Sequence, residues 1–225
     1  MEFNLELARL DAALYFLRLF VDVTGAPAIR NLYFAIYRPM NHTHSLSAFI
    51  ASLREISSQE TDEQRIVERV RPLAERLVVS DELRALPRTE PDPEQGFGFQ
   101  LLHEEPDHTL VVAILSWLPG RSTPPHDHGT WGVVVGVEGE EVNTFWRRVD
   151  DGLRTEYAEI EKEHEKVFTA GESLTLLPRT IHSIENRSDA ISVSLHIYGY
   201  HINHTDRSQF DTENGAVTPW KVKEG

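Results

Sequence analysis

His126 and His128 stand two residues apart in the segment Gly120-Arg121-Ser122-Thr123-Pro124-Pro125-His126-Asp127-His128-Gly129-Thr130-Trp131-Gly132. Alternate residues of an extended chain share a face, so both imidazoles point one way and Asp127 the other. Two imidazoles on one strand make half of a metal site, and the pair needs another ligand. The chain has no cysteine. That excludes disulfides, thiolate ligands and a cysteine nucleophile, and leaves His or carboxylate to hold a metal. Eleven histidines are available. His182 is a third candidate, because it follows the turn-like Leu177-Pro178-Arg179-Thr180 and lies in a short run rich in β-branched residues.

These side chains need a rigid frame, and the pattern of the chain supplies one. From Phe99 onward, β-rich runs alternate with turn residues: Thr109 to Leu118, Trp131 to Val137, Glu141 to Val149, Ser173 to Leu177 and Ala190 to Tyr198. Such spacing predicts a mainly β domain, an antiparallel sandwich or barrel. Residues 45–87 read instead as helices. Leu46, Phe49, Ile50, Leu53 and Ile56 fall on one helical face, and Ile66, Val67, Val70, Leu73 and Leu77 on another. Thr61 with Gln64 resembles a capping box at the start of the second helix, and Pro72 inside it predicts a kink or a break. The stretch Pro87 to Gly98 reads as a loop. The acidic run Glu159, Glu161, Glu163 and Glu165 has a period of two, which fits the solvated face of a strand edge or loop.

Charge and hydropathy narrow the partners. Thirty-six acidic against 22 basic residues leave a net charge of −14 across 225 residues, which argues against nucleic acid or an anionic membrane as the main partner. Leu7, Leu10, Leu14, Leu17 and Val21 form an apolar helical stripe interrupted by Arg9, Asp11, Arg18 and Asp22. No uncharged run there reaches the roughly 20 residues that span a bilayer. Glu2 and Glu6 stand where a secretory signal needs positive charge. The expectation is a cytoplasmic protein in three parts: an N-terminal helical extension at 1–39, a helical region at 40–95 packed on the barrel, and a β-barrel with the metal site at 96–225. The extension packs on the domain or on another subunit, where its stripe offers a contact surface for a homo-oligomer. Alternatively, Met40 is the true start.

Over about residues 96–210 the chain resembles the cupin superfamily. The first cupin motif runs Gly-x5-His-x-His-x3,4-Glu-x6-Gly, and Gly120, His126, His128 and Gly139 fall on it, with Gly132 where the glutamate ligand usually stands. Gly171, His182 and Asn186 match the second motif in spacing, while Pro178 falls one place late and its glycine is absent. The resemblance implies a double-stranded β-helix, or jelly-roll barrel. Loss of the glutamate with three histidines kept resembles the thiol dioxygenases, which bind Fe(II) through His126, His128 and His182 in this numbering. Ser194-Leu195-His196-Ile197-Tyr198 is similar to that family's Ser-x-His-x-Tyr element. Period two puts Ser194, His196 and Tyr198 on one face, able to form a hydrogen-bonded chain toward the metal. Trp117 also matches a family tryptophan, with a role in packing.

The resemblance implies that O2 and a small thiol are the substrates and a sulfinic acid the product. Neutral imidazoles leave the metal its full charge, which favours binding of the thiol as thiolate. Tyr198, held by His196 and Ser194, would orient the reactants. Gln100 stands where the animal-type cysteine dioxygenases carry a substrate-binding arginine, so it is expected on the pocket wall. Arg207, beyond Tyr198, fits the arginine of the enzymes acting on 3-mercaptopropionate, and its planar fork suits a carboxylate at the pocket mouth. His201 and His204 are polar alternatives nearby. Cysteine and mercaptosuccinate stay open as substrates. Gly132 cannot supply the sulfur of a thioether to Tyr198, which leaves an ordinary phenol. Two other readings stay open: a cupin enzyme acting on a non-thiol substrate with Fe, Mn, Ni or Zn, and a non-catalytic cupin that binds a ligand or partner.

Overall fold

The computed structural model describes residues 45–88 and 90–223; the expected extension at 1–39 lies outside them. Among the described residues three helices come first: α1 (Leu46–Gln59), α2 (Glu63–Val78) and the short α3 (Asp81–Ala85). Ser45 caps α1 by accepting from the Ala48 amide, and Phe49, Leu53 and Ile56 are its buried face. The cap of α2 is Asp62, accepting from the Arg65 amide at 3.3 Å, and not the Thr61–Gln64 box. Thr61 instead gives its amide hydrogen to Glu60. Pro72 does not break α2, which runs through it. Pro72 and Glu68 are both exposed, so the carbonyl that loses its helical donor has access to water. No helix among the described residues is long and apolar enough to cross a membrane.

Ten strands follow: β1 (Phe97–His103), β2 (Thr109–Trp117), β3 (Gly132–Glu138), β4 (Glu140–Arg148), β5 (Ile160–Thr169), β6 (Ser173–Leu176), β7 (Ile181–Glu185), β8 (Ser192–Tyr200), β9 (Ser208–Phe210) and β10 (Val217–Pro219). They form a large sheet of order β1-β2-β8-β3-β6, a small sheet β5-β4-β7 and a β9-β10 pair, all antiparallel. Glu161, Glu163 and Glu165 of the acidic run lie on exposed edge strand β5 and Glu159 just before it, as the period suggested. Gly98 belongs to β1 rather than to a loop. A side chain there would press on the Ser116 hydroxyl and the Glu90 carbonyl, so the strand needs glycine for close approach.

The large sheet has two buried faces. Val112, Ile114, Val133, Val135, Leu195 and Ile197 pack outward against the helical residues Leu53, Val67, Val70 and Leu77. The alternate residues Val111, Ala113, Leu115 and Trp117 pack inward with Phe97, Phe99, Tyr198 and Ile184 of the small sheet. This alternation of β-branched residues between two apolar environments is why β2 reads as a nearly continuous hydrophobic run. The functional side chains project into the inner space.

Candidate metal centre

His126 is held in place without a regular strand. Pro124 and Pro125 lack amide donors, and the segment is pinned by isolated bridges from His126 to His182 and to Gln209. The backbones of His126 and His182 exchange two hydrogen bonds, at 2.8 and 2.9 Å. The Gly129 amide bonds the Pro178 carbonyl, and the Thr205 hydroxyl bonds the His128 carbonyl. Gly129 has φ +64 and would meet Asp206 and Thr205 if it carried a side chain. The two imidazoles therefore converge from a clamped loop rather than from the strand expected of them.

Donor atoms of His126, His128 and His182 lie within 4.8 Å of one another, and all three residues are buried. The ring centroids are 4.6 to 5.0 Å apart. The Nδ1–H of His126 donates to the Pro124 carbonyl at 2.9 Å, and that of His182 to Asn143 Oδ1 at 2.8 Å. Both rings then present Nε2 as a bare lone pair, the form that binds a metal. His182 Nε2 and His128 Nδ1 are buried with no partner. Orphaned ring nitrogens in an apolar interior are costly unless something fills the gap between them. Burial, then the neighbouring imidazoles and Arg207, hold His126 and His128 well below the usual imidazole range. Burial and Arg207 lower His182 to about 3. Three neutral imidazoles fit a divalent first-row cation, and the donor set does not select among them.

Ser194, His196 and Tyr198 stand on the inward face of β8, as alternation requires. Ser194 Oγ lies 2.9 Å from His196 Nε2, and His196 Nδ1 lies 2.7 Å from the Tyr198 hydroxyl. Trp117 Nε1 donates to Ser194 Oγ at 3.4 Å, so this residue also closes the far end of the chain. Burial pushes the Tyr198 phenol well above its ordinary range. Its ring lies 5.2 Å from that of His128. At Gly132 a Cβ would sit 3.2 Å from Tyr198 Cδ1, so glycine leaves room for the tyrosine ring.

Arg207 is buried rather than at an open mouth, with 3% of its surface exposed. Its Nε donates to the Asp127 carbonyl at 3.3 Å, and its guanidinium lies 4.1 Å from the Trp220 ring centroid. One terminal nitrogen, Nη1, has no partner. Burial lowers its pKa to about 10, and its charge bears on all three imidazoles. Asp127 fixes this geometry by accepting from the Ser208 amide at 2.8 Å and pairing with Arg179. Trp220 covers the site from the C-terminal segment, its ring 4.5 Å from that of His126.

Gln100 does not join this group. It pairs with Ile114, whose side chain belongs to the outer core against the helices, so it faces away from His196. Phe99 is the inward residue of β1; counting along the sequence misses by one position, and one position reverses the face. His204 is exposed and stacks on His108 at 3.7 Å, outside the site. His201 is buried near Phe99, with ring centroids 6.0 Å apart. Asn143, Asp127 and Trp220 are residues the motif reading missed. An asparagine in the middle of a β-rich run was the one available signal.

No family model matches the chain. Among solved structures it is similar to oxalate oxidase in complex with the substrate analogue glycolate, at 15% identity over 51% of this chain and 56% of that one, with TM-score 0.40. The chain thus spans little more than half the length of that protein. It is also similar to an uncharacterised conserved protein with a double-stranded β-helix domain from Klebsiella pneumoniae, at 12% identity, 55% and 90% coverage and TM-score 0.40. A third is an RmlC-like cupin from Shewanella frigidimarina, at 23% identity, 50% and 85% coverage and TM-score 0.36. The fold is mainly β, with a large and a small antiparallel sheet facing one another and helices packed on the outer face of the larger. Its interior holds a buried three-histidine group able to bind a metal.

Proposed function

We propose that the protein is a non-haem Fe(II) thiol dioxygenase that converts a small carboxylated thiol to its sulfinic acid. One observation carries this reading: three neutral imidazoles converge beside a buried guanidinium with an unpartnered nitrogen and a phenol held by a hydrogen-bonded chain. His126, His128 and His182 would hold the Fe(II), which would supply the redox chemistry that joins a thiolate to O2.

The protein's own groups do the rest. Arg207 Nη1 receives the substrate carboxylate in a site shielded from water, where a charge-assisted hydrogen bond is strong. Its charge disfavours an ammonium group at the same place, so 3-mercaptopropionate and mercaptosuccinate fit better than cysteamine. Tyr198 stays protonated and offers a hydrogen bond next to His128, orienting the bound reactants. Trp220 and Phe99 provide apolar walls that limit water. The overall reaction balances as RSH plus O2 giving RSO2H: sulfur loses four electrons, both oxygen atoms end on it, and no external reductant is needed.

The test is O2 uptake by anaerobically iron-loaded protein with 3-mercaptopropionate, mercaptosuccinate, cysteine and cysteamine, with products identified by mass. One O2 per thiol and a sulfinate, with the carboxylated thiols preferred, supports the reading. Stoichiometric iron with no uptake on any thiol refutes it.

A further inference from the structure

Glu141 is the first inward residue of β4 and is 2% exposed, yet neither carboxylate oxygen has a hydrogen-bond partner. The groups beside it are the hydroxyls of Ser192 and Ser194 on β8. Ser192 Oγ is itself buried and unpartnered. On β5 the residue opposite Glu141 is Phe168, and on β3 the residue opposite Ser194 is Gly136. Of the titratable groups, Tyr198 on β8 feels its charge, and His196 is the next inward residue of β8 after Ser194. Glu141 therefore sits at the inner end of the Ser194–His196–Tyr198 chain, remote along it from the phenol.

We propose that Glu141 is a positioning residue whose proton sets the direction of that chain, and with it whether Tyr198 offers the site a hydrogen or a lone pair. With Glu141 ionised, the Ser194 hydroxyl donates to the carboxylate. Ser194 Oγ then accepts from Trp117 Nε1–H and from His196 Nε2–H. His196 Nδ1 is bare and takes the Tyr198 hydroxyl hydrogen, so the phenol oxygen faces the site as an acceptor. With Glu141 protonated, its own hydrogen goes to a serine hydroxyl and Ser194 turns to donate to His196 Nε2. The ring proton then lies on Nδ1 and is given to the phenol oxygen, which frees the Tyr198 hydrogen to point into the site. Closing the Glu141–Ser194 hydrogen bond takes a small turn of the Glu141 side chain, whose oxygens are unpartnered here, and His196 stays neutral throughout because burial lowers it to about 3. Burial raises Glu141 to about 7, so both arrangements are populated near neutrality. The inference concerns the chain's own hydrogen bonds and holds whichever reaction the metal centre performs.

The experiment is a long-range proton–nitrogen NMR correlation on the full, metal-free chain with labelled histidine, recorded across neutral pH. The His196 ring proton is expected on Nδ1 at low pH and on Nε2 at high pH, with a midpoint near that of Glu141. In Glu141→Gln the ring should keep one tautomer at every pH. In Ser194→Ala the carboxylic-acid infrared band of Glu141 should still titrate while His196 no longer responds. A His196 tautomer that ignores pH in the parent protein overturns the proposal, as does one that changes identically in either variant.

Discussion

Replacing Arg207 by methionine should make the free protein more stable and the enzyme worse. Burial lowers the guanidinium from its ordinary 12.5 to about 10. At about 1.4 kcal/mol for each pH unit, keeping this cation in the folded interior costs about 3 kcal/mol. The folded pKa is depressed, so the penalty is complete and constant at every pH below about 10, and it fades only at higher pH. Methionine removes the cost and fills the place of the aliphatic stem, ending two atoms short of the guanidinium nitrogens. It forfeits one hydrogen bond to the Asp127 carbonyl and the stacking on Trp220, together about 1–2 kcal/mol. A net gain of about 1–2 kcal/mol should appear in urea denaturation. Binding moves the other way, because a substrate carboxylate loses its buried partner, worth about 2–4 kcal/mol. For 3-mercaptopropionate kcat/KM should fall at least about 30-fold, while cysteamine, which has no carboxylate and carries the ammonium that Arg207 repels, should not fall. Unaltered discrimination between these two thiols would refute the role assigned to Arg207.

Asn143→Leu removes the acceptor that fixes the His182 ring, and metal affinity measured by chelator competition should fall about 10- to 100-fold. Tyr198→Phe should keep full metal stoichiometry and lose turnover by about 10²-fold; undiminished turnover would remove the phenol from the chemistry. Glu141→Gln tests stability against pH. The folded pKa of Glu141 is raised, so its contribution is present below the ordinary 4.5 and is lost as pH rises through about 7. The glutamine variant should therefore gain on the parent across that window, reaching about 3 kcal/mol at alkaline pH, as read by denaturation at a series of pH values.

The barrel was legible because β2, β3 and β8 are built from Val, Ile and Leu around small inward positions, and a two-residue period survives any error in strand ends. His126, His128 and His182 were legible through spacing alone. The local structure around them was not: two prolines and a left-handed Gly129 replace the expected strand with a loop held by bridges to β7 and β9. Gln100 went astray because the face a strand residue takes depends on register, and Gly98 lets β1 approach β2 with Phe99 inward. Glu141 and Asn143 were hidden for a related reason. In β4 the polar residues point inward, contrary to the rule that buried faces are apolar. Asp127 was expected to point away from the metal, and it does so into a second buried environment, where it anchors the segment that carries Arg207.

Turnover of 3-mercaptopropionate by the iron-loaded protein under isotopically labelled O2, with the product weighed by mass spectrometry, tests the dioxygenase reaction itself. A sulfinate in which both oxygen atoms carry the label is expected. A sulfinate with one labelled atom, or label recovered only in water or peroxide, would contradict it.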